Sequence, residues 1–213
     1  MRFDKLSACA ASAVCHGLPG RSLSVGGAPL PFCARCSGLY MGAFIAFLFI
    51  CVKKRFAGNA LPRPFVIGAA VLLTPLMIDG FSSFAGFWEG NNLLRLLTGL
   101  PYGVVLPFLL TLAANFKPEH SGGSKIIIKS NEFIMLLLIA AAAGAALYAG
   151  ITGRRAALFM ICAGAVSLFY CFFYMLVNLL PYKIPAGVKR TAAALSPFAL
   201  FLVLNAVRVA AGV

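Results

Sequence analysis

Six long apolar runs constrain this chain more than any motif does. They lie at roughly 35–52, 64–82, 93–115, 132–151, 156–180 and 191–211. Crossing the hydrocarbon core of a bilayer as a helix takes about 20 mainly apolar residues, and each run meets that length. Only helices and closed barrels satisfy their backbone polar groups inside lipid. The expected fold is therefore all-α: a polytopic transmembrane helical bundle of about six spans. Composition agrees, with 62% of residues hydrophobic and 11% charged, where soluble domains carry roughly 25% charged residues. Too few charges exist to cover a soluble core, so the lipid bilayer is the expected partner. The expected location is multi-pass in the cell (plasma or inner) membrane.

The net charge of +13 comes from 18 Lys and Arg against 5 Asp and Glu. On a soluble domain such an excess would suggest nucleic acid. Here the bases fall between apolar runs, where membrane topology places them, and no nucleic-acid partner is expected. With six spans, one face carries Lys53, Lys54, Arg55, Arg63, Lys117, Lys125, Lys129, Lys183, Lys189 and Arg190. The other carries Arg2, Lys5, Arg21, Arg35, Arg95, Arg154, Arg155 and Arg208. Setting Arg21, Arg35, Arg95 and Arg208 aside as site candidates widens the difference. The first face is read as cytoplasmic, which puts the N-terminus and the motifs below on the extracytoplasmic side.

Residues 1–34 form a polar N-terminal arm. Leu6-Ser7-Ala8-Cys9 has the outline of a lipoprotein cleavage box, but only five residues precede it and no apolar segment does, so neither a signal peptide nor a lipid anchor is expected. Cys51, Cys162 and Cys171 lie within apolar runs and read as small hydrophobes. His120, beside Lys117 and Glu119, reads as a solvated loop residue on the opposite face.

The unusual residues concentrate in the first half. Cys15-His16 is followed by Arg21 and then by Cys33-Ala34-Arg35-Cys36. A Cys-x-x-Cys spacing lets two sulfurs meet one metal or each other. Cys15 and His16 are candidates for the remaining tetrahedral ligands, although adjacent residues rarely bind one ion together. The second run ends at Asp79-Gly80, the next loop holds Trp88, Glu89, Asn91 and Asn92, and the third run opens with Arg95 and Thr98-Gly99. An up-down bundle brings all of these to the face that carries the cysteines. Ionisable groups in a membrane are costly and default to functional candidates. Asp79 and Arg95 read as natural partners, or Asp79 as a metal ligand tuned by Arg95. Asp79, Glu89 and Arg95 are the candidates for catalytic proton handling. Arg21, Arg35, Arg95, Asp79, Asn92 and Thr98 are candidates for supporting a metal or binding an anion. Gly38-x-x-x-Gly42 and Gly99-x-x-x-Gly103 lie at the same level, and small residues at that spacing let helices approach closely in lipid.

The combination Cys15-His16-x4-Arg21-Ser22, Cys33-Ala34-Arg35-Cys36-Ser37-Gly38-x-Tyr40-x-Gly42, Asp79-Gly80 and Asn92-x-x-Arg95-x-x-Thr98-Gly99 resembles an uncharacterised family of small prokaryotic integral membrane proteins, a domain of unknown function. The resemblance covers roughly residues 12–105. It implies a helical membrane bundle with these positions as its signature, and it brings no activity, cofactor or partner. On this reading 35–115 is a three-span family-like core, and 116–213 is an additional three-span helical half.

Three functions compete. The first is a Cys/His metal site at one membrane face, zinc or another transition metal, held by Cys15, His16, Cys33 and Cys36; a closed site would be structural and an open one hydrolytic. The second is a thiol–disulfide oxidoreductase using Cys33-x-x-Cys36, its thiol pKa lowered by the helix N-terminus and Arg35. The third is a transporter or lipid-headgroup-binding protein using Arg21, Arg35 and Arg95. The metal reading ranks first because Cys15-His16 adds ligands and no second cysteine pair supports a redox relay.

Overall fold

The computed structural model describes residues 2–15, 19–85, 91–115, 125–179 and 185–210. Among these the chain forms α1 (Arg2–Val14), a hairpin of β1 (Ser22–Val25) and β2 (Ala28–Cys33), then α2 (Ala34–Val52), α3 (Arg63–Phe84), α4 (Asn92–Asn115), α5 (Ser130–Tyr148), α6 (Arg154–Leu179) and α7 (Ala186–Ala210). A single 3-10 turn covers Pro19–Arg21. Helices occupy all six apolar runs. Among the described residues, α2 to α6 are long and apolar enough to cross a membrane, and α7 takes up the last run. The protein is a polytopic helical membrane bundle.

The centre of the bundle is the pairing of α2 with α4, and glycine sets its distance. A Cβ on Gly38 would lie 2.6 Å from the Leu96 carbonyl oxygen and 3.1 Å from the Leu100 amide nitrogen. One turn on, a Cβ on Gly42 would overlap the Leu100 carbonyl oxygen. The relation is reciprocal: Gly99 meets Arg35 and Leu39, and Gly103 meets Leu39 and Ala43. Residue numbers rise together along both helices, so the two run parallel with their backbones in contact. Dispersion and close packing hold such a pair in lipid, where the hydrophobic effect does not. Gly164 of α6 brings a third helix onto the Tyr40 carbonyl. By contrast, only 17% of the apolar stretch of α3 is buried, against 56% for α4. Helix α3 is a peripheral element with most of its surface free.

Two helices end through left-handed residues that satisfy the last carbonyls. Gly150, at φ 70, closes α5; its N–H donates to Leu147 O at 3.1 Å, and the Ile151 N–H reaches back to Ala146 O at 3.0 Å. This paired bond is the Schellman arrangement. Lys54 closes α2 in the same way at φ 52. Helix α5 stops at Tyr148, and Arg154 and Arg155, which lie between the fourth and fifth apolar runs, form the first turn of α6.

The polar N-terminal arm carries a folded hairpin that caps the bundle. Gly26 and Gly27, at φ 63 and 77, make the turn between the strands, a geometry that suits the twist of a two-residue hairpin. Leu23, Val25, Leu30 and Phe32 point inward and are buried. Three bundle residues hold the cap. Arg154 donates to the Ala28 and Pro29 carbonyls at 2.9 and 3.0 Å. Asn92 donates to Ser22 O at 3.3 Å, and the Tyr40 hydroxyl donates to Val14 O at 3.4 Å. All three lie at the end of the bundle where α2, α4 and α6 begin. At the other end, Arg55 grips Glu132 with its two terminal guanidinium nitrogens, at 2.5 and 3.1 Å.

Candidate functional site

The site is built where β2 runs directly into α2. Cys33 ends the strand and is the N-cap of the helix, with Cys36 in the first turn. Extended backbone at Cys33 turns its sulfur back over the open helix end, where it accepts the Cys36 N–H at 3.5 Å. Cys15 follows α1 directly, its own N–H bonded to Ala11 O, and its sulfur accepts the Cys33 N–H at 3.3 Å. The three sulfurs come from three places in the chain and lie within 4.8 Å of one another, each residue half-buried. Among the described residues none of the three is in a disulfide. His16 lies outside the described residues, as do Trp88 and Glu89.

Backbone N–H groups aimed at sulfur favour negative charge there, as does the start of a helix. The Cys33 thiol is nevertheless pushed up from its ordinary value. Its hydrogen bond with the Cys15 thiol is the largest cause; burial adds to it, and Cys36 opposes it. The lowered pKa expected for a reactive Cys-x-x-Cys pair is therefore not found. Crowded sulfurs disfavour one another's thiolates, and Arg35, the cation meant to help, is engaged elsewhere. A metal cation at the centre of the three sulfurs would reverse this balance by supplying the missing positive charge.

Arg35 leaves the sulfurs and binds Asp79 on α3. Asp79 was expected to meet Arg95 or a metal. Arg35, in the first turn of α2, takes the place expected for Arg95. Arg95 is buried in the first turn of α4; among the described residues the ion pairs are Arg35–Asp79 and Arg55–Glu132, and neither includes it. Thr98 is buried one turn further along, with its hydroxyl on Arg95 O at 3.2 Å. Asn92 opens α4 and ties it to the hairpin. Arg21 is half-buried at the end of the 3-10 turn.

The structure thus draws Cys15, Cys33 and Cys36 together as one group and Arg35 with Asp79 as another, linked through the first turn of α2. Arg154 was not singled out as a site residue, yet it anchors the hairpin that carries Cys33. Its position just after Gly153 was legible as a helix start. The buried side-chain atoms lacking a partner among the described residues are Arg35 Nε, Ser37 Oγ, Asp79 Oδ1 and Asn92 Oδ1. All four are at this end of the bundle.

A family model described as a predicted membrane protein, DUF2085, matches residues 15–109. The matched segment opens on Cys15 and closes within α4, so it contains the three thiols, Arg35, Asp79, Arg95 and both glycine pairs. An uncharacterized protein of Methanothermobacter thermautotrophicus is 42% identical over 98 residues, which is 45% of this chain and 83% of that one. An uncharacterized protein of Methanocaldococcus jannaschii is 29% identical over 99 residues, covering 46% of this chain and 62% of its own. No solved structure matches the chain.

Proposed function

Because this chain belongs to the DUF2085 family of predicted membrane proteins, and its matched segment holds a three-thiol cluster, we propose that it is a membrane metalloprotein whose ion sits at the motif face. Cys15, Cys33 and Cys36 supply three thiolates, and zinc is the first candidate ion. The observation that carries this reading is the mutual distance of the sulfurs. Tetrahedral zinc with sulfur ligands at about 2.3 Å requires sulfurs about 3.8 Å apart, and all three lie within 4.8 Å of one another before any ion draws them in. Two backbone N–H groups already point at Cys15 and Cys33, the support that metal-bound sulfur receives from its surroundings.

The fourth position separates a structural from a hydrolytic site. His16 follows Cys15 in sequence and would close the site as the fourth ligand. A water there would leave it open, with a pKa lowered by the metal. Asp79 is committed to Arg35, which favours the closed site: an ion that pins α1 and the hairpin to the start of α2. The larger set of bases, Lys53, Lys54, Arg55, Arg63, Lys125 and Lys129 among them, stands at the opposite end of the helices. This supports placing the motif face outside the cytoplasm.

Elemental analysis of protein purified in detergent, without an affinity-metal step and with a parallel free-thiol count, tests this. The expected result is about one zinc or similar ion per chain, lost in Cys33→Ser. A metal-free protein whose Cys33 and Cys36 cycle between thiol and disulfide would replace this reading with the oxidoreductase.

A further inference from the structure

Resting on the three-thiol metal site above, we propose that Tyr40 is its positioning residue: the phenol hydroxyl donates to the Cys36 sulfur once that sulfur binds the ion as thiolate. A metal-bound thiolate keeps lone pairs that draw hydrogen bonds, and the groups that supply them tune the ligand. Two of the three sulfurs already have a backbone donor. The Cys33 N–H points at Cys15 and the Cys36 N–H at Cys33. Among the described residues no backbone N–H is directed at the Cys36 sulfur.

Tyr40 is placed to supply that donor. It stands four residues after Cys36 in α2, so the two share one helix face. Side chains of a helix lean toward its N-terminus, which carries the Tyr40 ring back over the turn that holds Cys36. The same ring touches the approach to the other two cysteines. It packs edge-on against Phe32, the residue before Cys33, with centroids 6.0 Å apart. Its hydroxyl donates to the carbonyl of Val14, the residue before Cys15. Tyr40 is buried, so water does not compete for the proton. At 3.4 Å the bond to Val14 O is long for an O–H donor, and a thiolate is the stronger acceptor. The hydroxyl feels charge on all three sulfurs, that on Cys36 most. Formation of the site therefore turns the hydroxyl from Val14 O to Cys36 Sγ, and the proton stays on the phenol oxygen throughout.

The test uses the full chain in detergent, loaded with cobalt(II) in place of zinc, whose thiolate-to-metal charge-transfer band reports on the sulfurs. Tyr40→Phe keeps the ring and its packing on Phe32 and removes only the hydroxyl. It should weaken metal binding about tenfold or more in competition with a chromophoric chelator. It should also move the band to lower energy, because a sulfur lone pair without its hydrogen bond is easier to ionise. A ring-fluorinated tyrosine at position 40 keeps the hydroxyl and makes it a stronger donor. That variant should move the band to higher energy, and it decides the question should Tyr40→Phe not fold. A purely structural role would alter the unfolding midpoint and leave the band in place. An unmoved band in either variant, or native affinity in Tyr40→Phe, overturns the inference while the three-thiol site stands. Native protein that binds no cobalt overturns the metal site and this inference with it.

Discussion

Replacing Gly103 by alanine adds a single methyl group, and the structure puts that methyl inside backbone. The new Cβ would overlap the Leu39 carbonyl oxygen and lie 2.8 Å from the Leu39 carbonyl carbon and 2.9 Å from the Ala43 amide nitrogen. None of these atoms can rotate aside as a side chain would. The two helices must separate, and every contact along their shared face lengthens with them. Overpacking in a tight core costs about 1–3 kcal/mol; with only main chain to push against, Gly103→Ala should lie near the top of that range. Gly187→Ala is the matched control. Among the described residues nothing lies within 4 Å of its Cβ, and alanine is the better helix former by about 1 kcal/mol or less. Both variants can be unfolded in mixed micelles by increasing the detergent SDS fraction and followed by far-UV circular dichroism. The reasoning is refuted if Gly103→Ala unfolds at the native midpoint, or if the two alanines behave alike.

Two further outcomes follow from the polar contacts. Arg35→Met should destabilise by about 3 kcal/mol or more, because it strands a buried carboxylate. Arg35→Met with Asp79→Leu should recover most of that loss, so a double-mutant cycle in the same assay reads the coupling directly. Arg154→Ala removes the two hydrogen bonds to Ala28 and Pro29, worth roughly 1.5–3 kcal/mol from a charged donor. Its effect should be local, seen as faster hydrogen exchange at Leu23 and Val25 while α2 and α4 keep their protection.

The spanning helices were legible because hydropathy is a local property, and the run-by-run reading placed α2, α3 and α4 within two or three residues. The α2–α4 contact was legible for a similar reason. Gly38, Gly42, Gly99 and Gly103 mark close approach wherever they fall at that spacing. The hairpin was not expected, although Gly26-Gly27 sits between the alternating Leu23, Val25 and Leu30, Phe32. The Arg35–Asp79 pair was not legible. Which of Arg35 and Arg95 reaches Asp79 depends on how α3 lies against α4, the helix it packs on, and a peripheral helix with few contacts leaves little trace of its orientation in sequence. The pKa of Cys33 went the other way from expectation for a related reason. The reading counted the helix end and Arg35, but the fold sends Arg35 to α3 and brings Cys15 in its place.

X-ray absorption at the metal edge of the purified, full-length protein tests the central claim most directly. The account predicts a first shell dominated by sulfur, about three scatterers at about 2.3 Å, with one lighter ligand, and loss of that sulfur shell in Cys15→Ser. A shell of nitrogen and oxygen alone would place any bound ion away from Cys15, Cys33 and Cys36 and contradict the account.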